Sequence, residues 1–293
     1  MEIRAYAKIN LMLDILGKTD DGYHSLFMIM QSIGIFDDVT VELAGRANQI
    51  DLTCSNSALP TDKSNIAHKA AKAFFDYYNK NGLNPRKTNP GIKIHIDKNI
   101  PFAAGLAGGS ADAAAVIYGL NEILNAGIDI ETLCAIGVKV GADVPFCLKG
   151  GTMVAQDIGQ VLSPLPPRKK EYIVLVKPSQ DVSTKAAYDA FDTAENIRHC
   201  DTNGIIHALA RGENYYQYIQ NVFEQFVEVP DRVDIKATMR NYDCKATCMS
   251  GSGPSVYGIF DSEIKARSCA NALREKYEDT FFITPVDTGL QIL

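Results

Sequence analysis

The chain predicts an α+β protein of two lobes with a ligand cleft between them. Short strand-like and helix-like runs are mixed with hairpin-like turns, without the regular alternation of a doubly wound parallel sheet. One stretch, Leu162-Ser163-Pro164-Leu165-Pro166-Pro167-Arg168-Lys169-Lys170, breaks the chain with proline and charge. A boundary there gives lobes 1–163 and 164–293, and a cleft between lobes is where a ligand is first sought.

From Ile3 the odd positions Ile3, Ala5, Ala7, Ile9, Leu11, Leu13 and Ile15 are apolar, the signature of a strand with one buried face. Period two then puts Lys8 and Asn10 together on the other, non-core face, roughly 6.5 to 7 Å apart. A turn-rich segment, Gly17-Lys18-Thr19-Asp20-Asp21-Gly22-Tyr23-His24, returns an aromatic ring and an imidazole just after this strand. Val39 to Leu43 and Ile50 to Thr53 read as two more strands joined by a polar turn. A helix with apolar Ile66, Ala70, Phe74 and Tyr77 then runs to Asn81-Gly82, and Asn65 in its first turn reads by itself as a solvated or capping residue.

Gly91 to Ile96 alternates as a half-buried strand and leads into Pro101-Phe102-Ala103-Ala104-Gly105-Leu106-Ala107-Gly108-Gly109-Ser110-Ala111, after which Ala113, Ile117, Leu120 and Leu124 mark one face of a helix. Small residues let backbone approach a ligand, and the first N–H groups of a helix are unsatisfied and carry the positive end of its dipole. Such a junction suits an anion, most naturally phosphate. The loop has neither the Walker lysine nor the dinucleotide fingerprint. Asp129 to Val140 reads as a further helix, ending at Gly141-Ala142-Asp143-Val144-Pro145-Phe146. Asp143 there is either a turn or cap residue or a carboxylate presented to a pocket.

Gly150 to Ala155 resumes a strand. Beyond the break come strand Tyr172 to Val176, a helix capped by Ser183 or Thr184, and helices near 204–210, 215–227 and 232–240. The last quarter reads strand Ala246 to Met249, glycine turn Ser250 to Ser255, strand Val256 to Phe260, helix Ile264 to Lys276 and strand Phe281 to Val286.

At 293 residues, 46% hydrophobic and 22% charged, the chain can bury a core without disulfide staples. A formal charge of -6 argues against a general polyanion surface, so no nucleic-acid partner is expected. The seven cysteines lack paired metal-ligand spacing and read as reduced, mostly buried thiols. No apolar stretch is long enough for a signal peptide or a membrane span, which points to the cytoplasm and to no membrane partner.

Three separated segments together carry the pattern of one family. Ala7-Lys8-Ile9-Asn10-Leu11 with Gly17-Lys18 and Asp21-Gly22-Tyr23-His24, then Pro101 to Ala115, then Met249-Ser250-Gly251-Ser252-Gly253-Pro254-Ser255, resemble the three blocks of the GHMP small-molecule kinases. Gly141-Ala142-Asp143-Val144-Pro145-Phe146 fits as well, and the similarity spans essentially the whole chain. Two positions depart from the pattern: Ala107 stands where many relatives carry glycine, and Asp157-Ile158-Gly159-Gln160 replaces a more usual Gly-x-Gly-Glu. An extra methyl at Ala107 fits if that residue has negative φ.

The resemblance implies a two-lobed GHMP kinase fold, with an N-terminal ribosomal-protein-S5-like lobe and a C-terminal ferredoxin-like lobe. It implies ATP as co-substrate with Mg²⁺, and an acceptor that is a cytidine-diphosphate-linked sugar alcohol of the non-mevalonate isoprenoid route. Lys8 and Asp143 would sit at the transfer centre. ATP would meet Pro101, Ala103, Ala104, Gly105, Leu106, Ala107, Gly108, Gly109, Ser110 and Ala111, with Asn65 and Lys98 nearer the adenine and the Ser110 hydroxyl a candidate Mg²⁺ ligand. The acceptor would meet Asn10, Tyr23, His24, Thr184, Tyr188, Gly251, Ser252 and Gly253. Monomer and homodimer both stay open. So do another kinase of the superfamily, acting on a mevalonate derivative or homoserine, and a non-catalytic nucleotide-sensing module.

Overall fold

The structure, a computed structural model, describes residues 1–19, 22–85, 88–168 and 170–293. Asp20 and Asp21 of the first turn and Lys169 of the proline-rich break therefore lie outside the described residues. Two sheets form the framework. The first is built on a long hairpin, β1 (Glu2–Lys18) with β2 (His24–Leu43), whose antiparallel register runs from Glu2 opposite Thr40 to Lys18 opposite His24. β3 (Ile50–Cys54) and β4 (Ile92–Asp97) extend it on one side, and β5 (Thr152–Asp157) and β6 (Val161–Pro164) continue from β2.

The helices α1 (Ile66–Lys80), α2 (Gly108–Ile123), α3 (Ile130–Gly137) and α4 (Val144–Lys149) belong to this first half of the chain, and α2 packs on β1 and β2. The second sheet contains β7 (Tyr172–Val176), β9 (Ala246–Met249), β10 (Val256–Phe260) and β11 (Thr280–Ile283) in the order β11-β7-β10-β9, all antiparallel. α7 (Arg232–Asn241) and α8 (Glu263–Arg274) pack on it, while α5 (Thr184–Asp192) and α6 (Thr202–Arg211) lie between β7 and α7 in the chain.

The halves are interwoven. β8 (Gln220–Asn221) runs parallel to β1 at Met12 and Leu13, and the last strand, β12 (Leu290–Ile292), pairs with Ile3 to Ala5. The boundary drawn at 163/164 falls inside β6.

Most elements form where the hydrophobic period places them, and the differences have local causes. The stretch from 25 to 38, which carries no alternation, belongs to β2 because it is buried on both faces through Leu26 to Ile33, which removes the period-two signal. The strands at 39–43 and 50–54 are not a hairpin pair: β4 lies between them, antiparallel to β2 and parallel to β3. The helix expected over 215–227 is instead two short 3-10 turns flanking β8. Asn221 explains this, since its side-chain oxygen accepts from Phe223 N while its Nδ2 donates to Met249 O and Gly251 O, bonds no helix would allow. Val144 to Phe146, expected in a break, form the first turn of α4.

One polar cluster is sealed beneath α2. Lys98 donates to Asp37 and, at 3.0 Å, to Asp112, and Asp37 also accepts from Asn99 N at 2.6 Å and Ile100 N at 2.8 Å. Two carboxyls thus face one ammonium. Burial pushes Asp112 well above the usual carboxylate range, with Lys98 opposing the rise and Asp37 adding to it, and Asp112 Oδ1 has no hydrogen-bond partner. Asp112 therefore holds its proton in the folded protein at pH values where the unfolded chain has lost it. Stability from this group is full below about pH 4 and declines as pH rises toward the raised folded value.

Asp112→Asn, which keeps the shape and removes the titration, should flatten this decline when urea midpoints are compared between pH 5 and pH 7. Asp37→Asn should cost about 3 kcal/mol by the same measurement, the low end for breaking a buried pair because Asp112 can ionise in its place.

Candidate active site

β1 presents Lys8 and Asn10 on one face, as their spacing predicts, but that face is not solvated. Lys8 is 4% exposed and Asn10 is fully enclosed, because the β9–β10 turn of the second sheet closes over them. The Lys8 ammonium donates to Asn10 Oδ1 at 2.8 Å and lies 3.7 Å from Asp143 Oδ2. Asp143 occupies the N-cap position of α4, yet its side chain makes no capping hydrogen bond and stays 29% exposed. A carboxylate in a cap position that declines the cap is available for other work.

The glycine loop reaches the same place. Lys8 N donates to Leu106 O at 3.1 Å, which ties the loop to β1. α2 then begins at Gly108 with no side-chain cap, and its first intrahelical bond is Ala111 N to Ala107 O. The N–H groups of Gly108, Gly109 and Ser110 are thus the orphan donors of a helix start, carrying its positive end. A Cβ on Gly105 would lie 2.2 Å from Ser250 O, so only glycine lets the third segment approach this closely. Ser250 Oγ donates to Gly105 O at 3.0 Å, Asn10 N donates to Ser250 Oγ at 3.3 Å, and Gly251 N donates to Asn10 Oδ1 at 3.0 Å.

Together these walls enclose a cavity of about 300 Å³ lined by Lys8, Asp143, Gly105, Ala107, Ser110, Thr184, Tyr188, Gly251 and Ser252, and by the apolar Leu13, Leu26, Met28, Ala142, Ile158 and Phe223. Burial, and then the nearby charge of Asp143, push the Tyr188 phenol up to about 12, so it remains a neutral ring wall at ordinary pH. The ring stacks on His24 with centroids 4.5 Å apart and meets the Phe223 edge at 5.1 Å. His24 Nε2 and Lys18 Nζ each lie 2.7 Å from an oxygen of Asp192, on α5. The hydrogen bond from Lys18, then that from His24, hold the Asp192 carboxyl below its usual range.

The structure places several of the expected residues outside this cavity. Asn10 does not line the cavity, since its amide is consumed by Lys8, Gly251 N and Met28 Sδ, and it holds the site together instead. The Lys98 ammonium is buried between Asp37 and Asp112, under Gly108, where a Cβ would come within 2.9 Å of it. Asn65 caps α1, accepting from Ala67 N and donating to Pro60 O. Tyr23 is 63% exposed, and neither it nor His24 lines the cavity, though His24 borders it through Tyr188. Ala104, Leu106 and Ala111 turn their side chains into the core, leaving only backbone for a ligand. Pro101, Ala103, Gly108, Gly109 and Gly253 likewise stay outside the lining, although they shape the loops that form it.

Ala107 has φ 59, so its methyl is held in the left-handed region and the condition of a negative φ is not met. Gln160 donates to Asp157, and Ile158 between them enters the cavity wall. The signals missed in the sequence were Asp192, Ser250 and Asn221, each a polar residue whose partner lies far along the chain.

The family model "GHMP kinases N terminal domain" matches residues 65–151, and "GHMP kinases C terminal" matches 194–279. A curated 4-diphosphocytidyl-2-C-methyl-D-erythritol kinase of Clostridium botulinum is 44% identical over 287 residues, spanning 96% of this chain and 98% of the relative. That of Clostridium beijerinckii is 41% identical over 285 residues, with 96% and 98% covered. A crystal structure of 4-(cytidine 5'-diphospho)-2C-methyl-D-erythritol kinase superposes with TM-score 0.78 at 30% identity, covering 97% of this chain and 99% of the other. A homoserine kinase from Cytophaga hutchinsonii, at 18% identity and TM-score 0.79 with 100% and 97% covered, shares the fold.

Gly105→Ala should abolish the contact with Ser250, lower the melting temperature and cut turnover, because the new methyl meets backbone and the position has φ 72. Ala107→Gly should instead gain about 0.5 kcal/mol in urea unfolding with activity kept, the relief of left-handed strain exceeding the added freedom of the unfolded chain.

Proposed function

The chain belongs to the 4-diphosphocytidyl-2-C-methyl-D-erythritol kinase family of the GHMP kinases, and from that premise we propose how its own residues carry out the reaction. The γ-phosphoryl group of ATP passes to the 2-hydroxyl of 4-diphosphocytidyl-2-C-methyl-D-erythritol, giving the 2-phosphate and ADP for isoprenoid biosynthesis. The observation that carries this reading is the uncapped Asp143 carboxylate 3.7 Å from a buried lysine ammonium, in one cavity with the open start of α2.

Phosphoryl transfer passes through a loose transition state with charge on the equatorial oxygens, so placement and electrostatics do most of the work. The free N–H groups at Gly108 to Ser110 hold the phosphates at the positive end of α2. Lys8, kept in line by Asn10, faces the transferring group and offsets its charge. Asp143 orients the acceptor hydroxyl and accepts its proton late in the transfer. The Thr184 and Ser252 hydroxyls, which lie 3.0 Å apart in the cavity lining, hold the acceptor's own diphosphate, and the Tyr188 ring supplies a stacking face for the pyrimidine.

The Ser110 hydroxyl makes no hydrogen bond among the described residues and lines the cavity, which suits an oxygen ligand for Mg²⁺ beside the phosphates. When bound there, Mg²⁺ would offset the negative charge of the phosphates. No helix among the described residues is long and apolar enough to cross a membrane, and all seven cysteines are free, which supports a reaction in the reducing cytoplasm.

ADP release should be seen with the cytidylyl-linked alcohol and not with the same alcohol lacking that group, nor with mevalonate. Turnover of mevalonate instead would overturn the acceptor assignment while leaving the phosphate loop intact. Asp143→Asn should lower kcat by about 10² to 10⁴-fold, the range for a general base, with KM for both substrates changed less than about threefold. A variant with nearly normal kcat would exclude the role.

A further inference from the structure

Asp192 lies at the end of α5, the helix that supplies Thr184 and Tyr188 to the cavity, and it reaches back to the β1–β2 hairpin of the first sheet. Its two oxygens are shared between Lys18 Nζ and His24 Nε2, each at 2.7 Å. A carboxylate can only accept, so the proton in the second bond belongs to Nε2 of the imidazole. The ring is further fixed by stacking on Tyr188 at 4.5 Å and by the Phe191 edge at 6.0 Å. Its Nδ1 has no partner among the described residues. In a neutral imidazole whose Nε2 carries the hydrogen, Nδ1 is an acceptor.

We propose that Asp192 is a positioning residue that sets base specificity: by holding the hydrogen of His24 on Nε2, it makes Nδ1 an acceptor for the exocyclic amino group of a pyrimidine. This rests on the acceptor assignment above and deepens it. A cytosine offers an N–H₂ donor at C4, whereas uracil offers a carbonyl oxygen there, which would face the Nδ1 lone pair with no hydrogen between them. Leaving two acceptors opposed on a stacked, partly desolvated base edge is costly, and a site built this way rejects the wrong analogue strongly. The same carboxylate also clamps the hairpin to α5, so the ring cannot turn over to present its other nitrogen while the bond lasts.

The test compares kcat and KM for the cytidine diphosphate alcohol and its uridine counterpart in the wild type, Asp192→Asn, Asp192→Glu and Lys18→Ala. An asparagine amide can donate to Nε2, which moves the ring hydrogen to Nδ1 and turns the acceptor into a donor. Asp192→Asn should therefore raise KM for the cytidine substrate at least tenfold with kcat within threefold, and reduce the cytidine-over-uridine preference in kcat/KM at least tenfold. Asp192→Glu should restore part of that preference, and Lys18→Ala, which leaves the His24 bond in place, should keep it. A merely structural clamp would weaken both substrates equally.

Unchanged preference in Asp192→Asn would overturn the proposal. ¹⁵N chemical shifts of His24 in the wild-type protein give an independent reading: a hydrogen on Nε2 supports it, and a hydrogen on Nδ1 overturns it even if the variants fail to fold. Wild-type protein that phosphorylates neither alcohol would instead contradict the acceptor assignment itself, and the two failures are thereby told apart.

Discussion

The site depends on one buried asparagine. Asn10 Oδ1 accepts from both the Lys8 ammonium and the Gly251 backbone, while its own N–H and C=O engage Ser250 Oγ and the Tyr257 hydroxyl. Through Ser250 the junction continues to Gly105 O. A single side chain and its peptide groups thus tie together the strand that carries the lysine, the loop that opens α2 and the turn between β9 and β10. These are the three segments that any phosphoryl-transfer site built here has to hold in register.

That junction also sets the electrostatics. Removing an ammonium from water costs several kcal/mol unless it is paired and hydrogen-bonded. Lys8 has one short hydrogen bond and one carboxylate at 3.7 Å, which leaves donor capacity directed at the cavity. A site enclosed on this side by protein dipoles and open on the other is an attractive place for an anion, and the first turn of α2 adds to the attraction. The interweaving of the halves keeps the arrangement stiff: β8 and β12, from late in the chain, both bond to β1, so the second sheet cannot move without disturbing the strand that bears Lys8 and Asn10.

Much of this could be read before any coordinates. The Lys8 and Asn10 spacing, the small-residue loop ahead of a helix, and the Gly141-Ala142-Asp143 break are local patterns, and local patterns survive in the sequence. β7, β9 and β10 fall where their apolar runs end, because each is bounded by turn residues. What the sequence hid was long-range. Nothing near Lys98 announces that Asp37 and Asp112 will surround it, and nothing near Asn221 announces the Met249 and Gly251 carbonyls that pull it out of a helix. The burial of Lys8 and Asn10 on the non-core face was hidden for the same reason: a strand's alternation tells which residues share a face, and only the rest of the fold tells what covers it.

Amide hydrogen exchange on the wild type and Asn10→Ala tests the account most directly. Asn10→Ala keeps the peptide groups of β1 and removes the side-chain amide, with the oxygen shared by Lys8 and Gly251 and the weaker contact to Met28 Sδ. If that oxygen holds the site together, protection should fall together in the loop 101–110 and the turn 250–255, with the β7–β10 and β7–β11 ladders unchanged. Loops that keep their wild-type protection in the variant would contradict it, and would mean that the three segments are held in register by the sheets alone.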